Sequence, residues 1–183
     1  GGRGVVFMTD IMKKELERLE TLCGLFGPSG CEDDVRELIR PRAEAVADKV
    51  SVDRMGDLIA KMSFGNPDAK DRKKIMISAH MDEVGFMISD IREDGMLAFG
   101  CVGGIDPSVL AGRKVFVKGS DKLIRGVICS KAIHHKSPEE RERPLAARKL
   151  YIDIGAEKKE VAEEKISIGD FGTFDSEFYE FGK

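Results

Sequence analysis

Between Asp10 and Cys23 the apolar residues Met12, Leu16, Leu19 and Cys23 recur at intervals of four, three and four, with charged residues between them. That spacing lines one face of a helix, and Gly24 with Gly27-Pro28 supplies its stop. Ser29 and Glu32 then stand in the Ser-x-x-Glu order of a capping box, Ser29 as N-cap and Glu32 at N3. A second helix is predicted through Val35, Leu38, Ile39, Ala43 and Val46, with Pro41 as a candidate kink. Lys49 to Asp53 and Leu58 to Ser63 read as two strands around the turn residues Arg54 to Asp57, and Gly65-Asn66-Pro67 marks another turn.

After a charged lead-in from Asp71 to Lys74 comes a nearly continuous apolar run, Ile75 to Ala79. Such a run is how a strand covered on both faces reads. His80 and Asp82 follow it. Residues i and i+2 of a strand point to one side, so an extended backbone would bring this imidazole and this carboxylate together at the strand's C-terminal end, the place where open α/β sheets bind ligands. One ring nitrogen could then coordinate a metal ion while the other donates to the carboxylate, which makes Asp82 the group that orients His80. On the spacing alone, a hydrogen-bonded histidine at a strand end is the simpler reading.

Beyond Asp82 the pattern changes. Val84 to Ile91, Met96 to Val102, Arg113 to Lys118 and Leu123 to Lys131 are short strand candidates, separated by Asp94-Gly95, Gly103-Gly104 with Asp106-Pro107, and Gly119-Ser120-Asp121. Strands in succession without an intervening helix predict a small antiparallel barrel or sandwich as a second module. His134 and His135 lie in a polar, Pro-bounded stretch that reads as an exposed loop, since adjacent residues rarely aim both imidazoles at one ion. Leu150 to Ile154 reads as a strand, Ala156 to Glu164 as a short charged helix, and Ile166 to Phe174 as a Gly-rich strand region. Phe171, Phe174, Phe178, Tyr179 and Phe181 form an aromatic cluster expected to pack in a core or along an edge.

Composition narrows the function classes. A chain of 183 residues with 42% hydrophobic content can build one ordinary domain or two small ones. Thirty basic residues against 33 acidic ones give a net charge of -3 without a basic block, so no nucleic-acid footprint is indicated. No apolar run approaches the roughly 20 residues that span a bilayer, and Gly1 to Phe7 reads as vector or linker sequence rather than a secretory signal. Cys23, Cys31, Cys101 and Cys129 include no close pair of the kind that builds a zinc site, which fits thiols in the cytoplasm.

Four stretches in order resemble successive motifs of the glutamyl and deblocking aminopeptidases: Pro28-Ser29-Gly30-Cys31-Glu32, Val52-Asp53-Arg54-Met55-Gly56-Asp57-Leu58, Ser78-Ala79-His80-Met81-Asp82-Glu83-Val84-Gly85 and Tyr151-Ile152-Asp153-Ile154-Gly155-Ala156. These are two-metal enzymes, some forming tetrahedral dodecamers and some labelled endoglucanases. The resemblance covers nearly all of Met8 to Lys183, with Asp57 standing where Asn is commoner. It implies a partial metallopeptidase α/β domain interrupted by a small antiparallel β-barrel-like insertion that mediates subunit association. The corresponding division is 8–83 for the peptidase part, 84–173 for the inserted β domain and 174–183 for the return to the peptidase domain.

By the matching motif, His80 would ligate one ion of a zinc or cobalt pair and Asp82 would be the catalytic-site carboxylate orienting it. The family's bridging aspartate in an Asp-Asp-Arg motif, its paired glutamates, a further aspartate and a final histidine all lie C-terminal to the β insertion, and none falls in this sequence. Asp153 is a tempting substitute ligand, but its motif belongs to the inserted domain. The resemblance therefore implies the N-terminal half of an enzyme that removes N-terminal residues from peptides, with the chain itself inactive and holding metal weakly at best. The alternative is a non-catalytic β-domain module for homo-oligomerisation or partner binding.

Overall fold

A computed structural model describes residues 10–66, 73–120, 122–130 and 147–181. The chain divides into two units, one of Gly1–Leu25 with Ser176–Lys183 and one of Phe26–Asp175. In the first, α1 (Asp10–Cys23) forms where the four-three-four spacing places it, though none of its residues is buried. Three members of the aromatic cluster, Phe178, Tyr179 and Phe181, fall here as well, and two depart from expectation: Tyr179 and Phe181 are largely exposed.

The second unit begins with α2 (Asp33–Glu44), which runs on past Pro41. An antiparallel hairpin of β1 (Lys49–Val52) and β2 (Leu58–Lys61) follows. Asp53 makes its turn, with Oδ1 accepting from the backbone N–H of Met55 at 2.9 Å and of Asp57 at 3.0 Å. Gly56 sits in that turn at φ +92, a backbone conformation that favours glycine. Its carbonyl accepts from Arg36 of α2 at 3.1 Å.

The rest is a closed barrel. Its strands are β3 (Gly85–Ile91), β4 (Leu97–Val102), β5 (Lys114–Lys118), β6 (Leu123–Ser130), β7 (Leu150–Asp153) and β8 (Phe171–Phe174), and around the wall they run β3-β4-β7-β6-β5-β8. All pairs are antiparallel, and β8 closes the wall by pairing with both β3 and β5. Alternation along each strand decides what faces inward. Leu97 and Phe99 of β4, Val115 and Val117 of β5, and Leu150 and Ile152 of β7 are buried at every second position. On β3 a register shift between Ile88 and Asp90 inserts one residue, so Phe86, Ile88 and Ile91 all reach the core despite their uneven spacing. Phe86 packs edge-on against Phe99 and Phe174 at centroid distances of 5.1 and 5.0 Å. Leu110, together with Ala162 of α3 (Lys159–Glu163) and Ile166, joins this core.

The Asp94-Gly95 turn joins β3 to β4, with Arg92 N–H donating to Met96 at 2.9 Å and Gly95 N–H to Arg92 at 2.9 Å. Lys118 connects α2 to the barrel: its ammonium meets Asp34 at 2.9 Å and lies 5.2 Å from the Phe26 ring centroid. Mixed helix and strand with a small antiparallel barrel is thus the observed architecture.

Two sequence expectations fail in this unit. Ile75 to Ala79 is not a buried strand: the stretch carries no regular structure, and Ile75, Met76 and Ile77 are 86%, 90% and 93% exposed. A strand needs a neighbour's backbone to satisfy its N–H and C=O groups, and among the described residues no strand lies beside this one. Nor does Ser29 cap α2. The helix starts after Glu32, whose side chain makes no cap and instead accepts from the Gly30 N–H. Asp33 and Asp34 already place negative charge in the first turn, where the exposed N–H groups favour it.

Candidate functional site

The backbone that carries His80 and Asp82 is fixed at one point. Glu83 N–H donates to the Gly27 carbonyl at 2.8 Å, and Ser29 N–H donates to the Glu83 carbonyl at 3.2 Å, which makes a parallel bridge between Pro28 and Glu83. The approach is close. A side chain at Gly85 would place its first carbon 2.7 Å from Pro28 Cβ and 2.6 Å from the Gly172 carbonyl oxygen, so residue 85 has room for glycine alone. On the barrel side, the buried Thr173 hydroxyl donates to Glu83 Oε1 at 2.8 Å.

Just before this bridge, His80 Nδ1 lies 3.2 Å from Asp82 Oδ1 and 3.0 Å from the Asp82 backbone carbonyl. The two side chains are therefore together, as the sequence suggested, but a bend in an irregular segment brings them there and not the face of a strand. Both neighbours of Nδ1 are acceptors, so Nδ1 carries the proton of the neutral ring and Nε2 keeps a free lone pair. The Ser29 hydroxyl donates to the other carboxylate oxygen, Oδ2. That bond is the main reason the Asp82 carboxyl titrates below its ordinary value. Desolvation opposes it, while the residue's own backbone and the His80 ring add to it. The imidazole is 85% exposed and the Asp82 side chain 37% exposed, so Nε2 is accessible from outside.

Such an imidazole can serve as one ligand of a divalent ion, in the usual carboxylate–histidine–metal arrangement. It does not make a site alone. Among the described residues no group of three His, Cys, Asp or Glu side chains could hold a metal ion. Glu83 is turned toward Thr173, and Asp153 accepts from the Gly155 N–H at 2.8 Å within its own turn, so neither supplements His80. His134 and His135 lie outside the described residues. The donor chemistry fits one corner of a metal pair, and the donor count does not fit the pair. Ser29 is the residue that sequence reasoning missed. Its Ser-x-x-Glu context pointed to a local cap, and nothing in the spacing announces a partner 53 positions away.

The profile of the M42 glutamyl aminopeptidases matches residues 56–183. A putative aminopeptidase of Acetivibrio thermocellus is 36% identical over 168 residues, 91% of this chain and 44% of that protein. Among solved structures, a TET aminopeptidase from a marine sediment Thaumarchaeota archaeon superposes with a TM-score of 0.84 at 38% identity, covering 92% of this chain and 47% of that one. The TET1 peptidase of Pyrococcus horikoshii, described as assembling into a tetrahedron or a large octahedral shell, gives a TM-score of 0.76 at 37% identity over 87% of this chain and 46% of that one. The fold and the paired His80 and Asp82 thus occur in a chain that matches aminopeptidases along most of its length. It belongs to the M42 glutamyl aminopeptidase family. The chain spans about half the length of the curated relatives it matches.

Proposed function

We propose that this chain supplies the first half of a two-metal aminopeptidase that removes N-terminal residues from peptides. In that reading His80 ligates one ion of a zinc or cobalt pair through Nε2, and Asp82 orients the ring. The observation that carries it is the contact of His80 Nδ1 with both Asp82 acceptors, at 3.2 and 3.0 Å, which leaves Nε2 free in a family of aminopeptidases. Two divalent ions, when bound, supply a hydroxide nucleophile and polarise the scissile carbonyl. The described residues contribute one imidazole and its carboxylate, so no hydrolytic step is assigned to them, and the 183-residue chain is expected to be inactive with weak metal affinity. Calorimetric titration with zinc and cobalt, beside an assay on aminoacyl chromogenic substrates, tests this. Weak binding that disappears in His80→Ala, without turnover, supports it. Metal binding unaffected by His80→Ala removes His80 from the site, and turnover that needs His80 overturns the expected inactivity.

A second reading concerns the barrel, roughly 84–173 in the sequence division. It would mediate subunit association, in the cytoplasm and between identical copies. The observation favouring it is the relative whose assembly is a tetrahedron or octahedral shell, together with the exposed barrel residues Met87, Leu123 and Val127. On this reading the chain alone is a non-catalytic association module. Sedimentation showing dimers or larger species that revert to monomer in Met87→Lys or Val127→Lys supports it, and a monomer at high concentration counts against it.

A further inference from the structure

The Ser29 hydroxyl has left the helix it was placed to cap and is spent on Asp82. Asp82 is poorly held otherwise. Its side chain is more than a third exposed, and its other oxygen, Oδ1, faces the ring of His80. A carboxylate on an irregular, solvent-facing segment turns freely about its side-chain torsions, and a turn leaves the ring with the Asp82 backbone carbonyl as its remaining acceptor. Ser29, by contrast, sits on backbone anchored at both sides: its own N–H is bonded to Glu83, and Cys31 N–H donates to the Pro28 carbonyl at 2.7 Å.

We infer that Ser29 is a positioning residue for the metal ligand: by holding Asp82 Oδ2 it aims Oδ1 at His80 Nδ1, and so keeps Nε2 deprotonated and pointed outward. This rests on the reading of His80 as a ligand given above. The relay runs from the Gly27–Ser29 backbone through hydroxyl and carboxylate to the imidazole. Each group in it has one chemical option. The hydroxyl donates to a carboxylate that can only accept, and the ring must donate in turn. Thr at position 29 keeps the donor, Ala removes it, and Cys keeps the shape with a weaker donor.

The tautomer of the His80 ring reports this directly and without metal. Long-range 1H–15N correlation spectra of the full 15N-labelled chain, recorded at a pH where the ring is neutral and assigned by loss of the signal in His80→Gln, read the ratio of Nδ1–H to Nε2–H forms. Nδ1–H should predominate in the parent chain. In Ser29→Ala that ratio should fall about fivefold, the equivalent of one ordinary net hydrogen bond, and Ser29→Thr should restore it. A serine that served only the local fold would alter melting and leave the ratio alone, so an unchanged ratio in Ser29→Ala overturns the inference. If Ser29→Ala loses the barrel's resonances, Ser29→Cys is read in the same way, with the same ratio deciding. A parent chain with a water-like tautomer mixture would instead defeat the pairing of His80 with Asp82, the reading on which this one stands.

Discussion

The barrel and the segment just before it are built from similarly apolar sequence and end in opposite states. Phe86, Ile88 and Ile91 of β3 are buried, while Ile75, Met76 and Ile77, about a dozen residues earlier, are almost fully in solvent. Hydrophobicity does not separate them; backbone pairing does. Each barrel strand finds an antiparallel neighbour on both sides, so its peptide groups are satisfied and its inward residues share one core. The earlier run has no such neighbour among the described residues, and an apolar side chain cannot be buried by a segment that has nothing to lie against.

Matched substitutions in the two regions should break this symmetry most sharply. Phe86→Ala removes a ring that touches Phe99 and Phe174 and should cost about 3–5 kcal/mol in denaturant unfolding, whereas Ile77→Ser should leave the unfolding midpoint unchanged and reduce binding of a hydrophobic dye. Equal losses in both would mean that the 75–79 run is buried after all. Gly95→Ala is next in size. At φ +79, with the new carbon 2.4 Å from the Ala156 carbonyl oxygen, it should lower stability by about 1–3 kcal/mol, while Gly65→Ala, also at positive φ but with nothing nearby, should cost less.

A smaller effect belongs to the site. Because the Asp82 carboxyl titrates below its ordinary value of about 3.9, its folded form is the better proton donor, and ionisation stabilises the fold. That contribution is complete above the ordinary value and is lost as the pH falls through the depressed one. The group is partly exposed, so the gain is under about 1 kcal/mol. Unfolding measured at pH 7 and pH 3 should show a slightly smaller acid loss in Ser29→Ala than in the parent chain; an identical loss would mean that the hydroxyl does not hold the carboxylate in solution.

These contrasts also show which parts were legible beforehand. Strand positions in the barrel were read to within a few residues because turn dipeptides such as Asp94-Gly95 and two-residue alternation are local signals. The same alternation could not reveal the closure of β8 on β3 and β5, which joins residues far apart in sequence. At the site, His80 and Asp82 are visible in the sequence as a spaced pair, but a bridge at Glu83 and a bend bring them together, not the face of a strand. Ser29 was misassigned because a capping box and a distant carboxylate ask for the same residue type, and sequence order favours the nearer explanation.

Closure by β8 has a consequence for the order of synthesis. Among the described barrel strands Phe171–Phe174 is the last in chain order, and so the last of them to leave the ribosome, yet it supplies the seam between β3 and β5. Until it emerges, those two strands present open edges, the kind of surface that recruits other extended chains. The same four residues carry Thr173, whose hydroxyl holds Glu83. A nascent chain therefore completes its wall and secures the anchor beside His80 and Asp82 in one late event, within a few residues of each other.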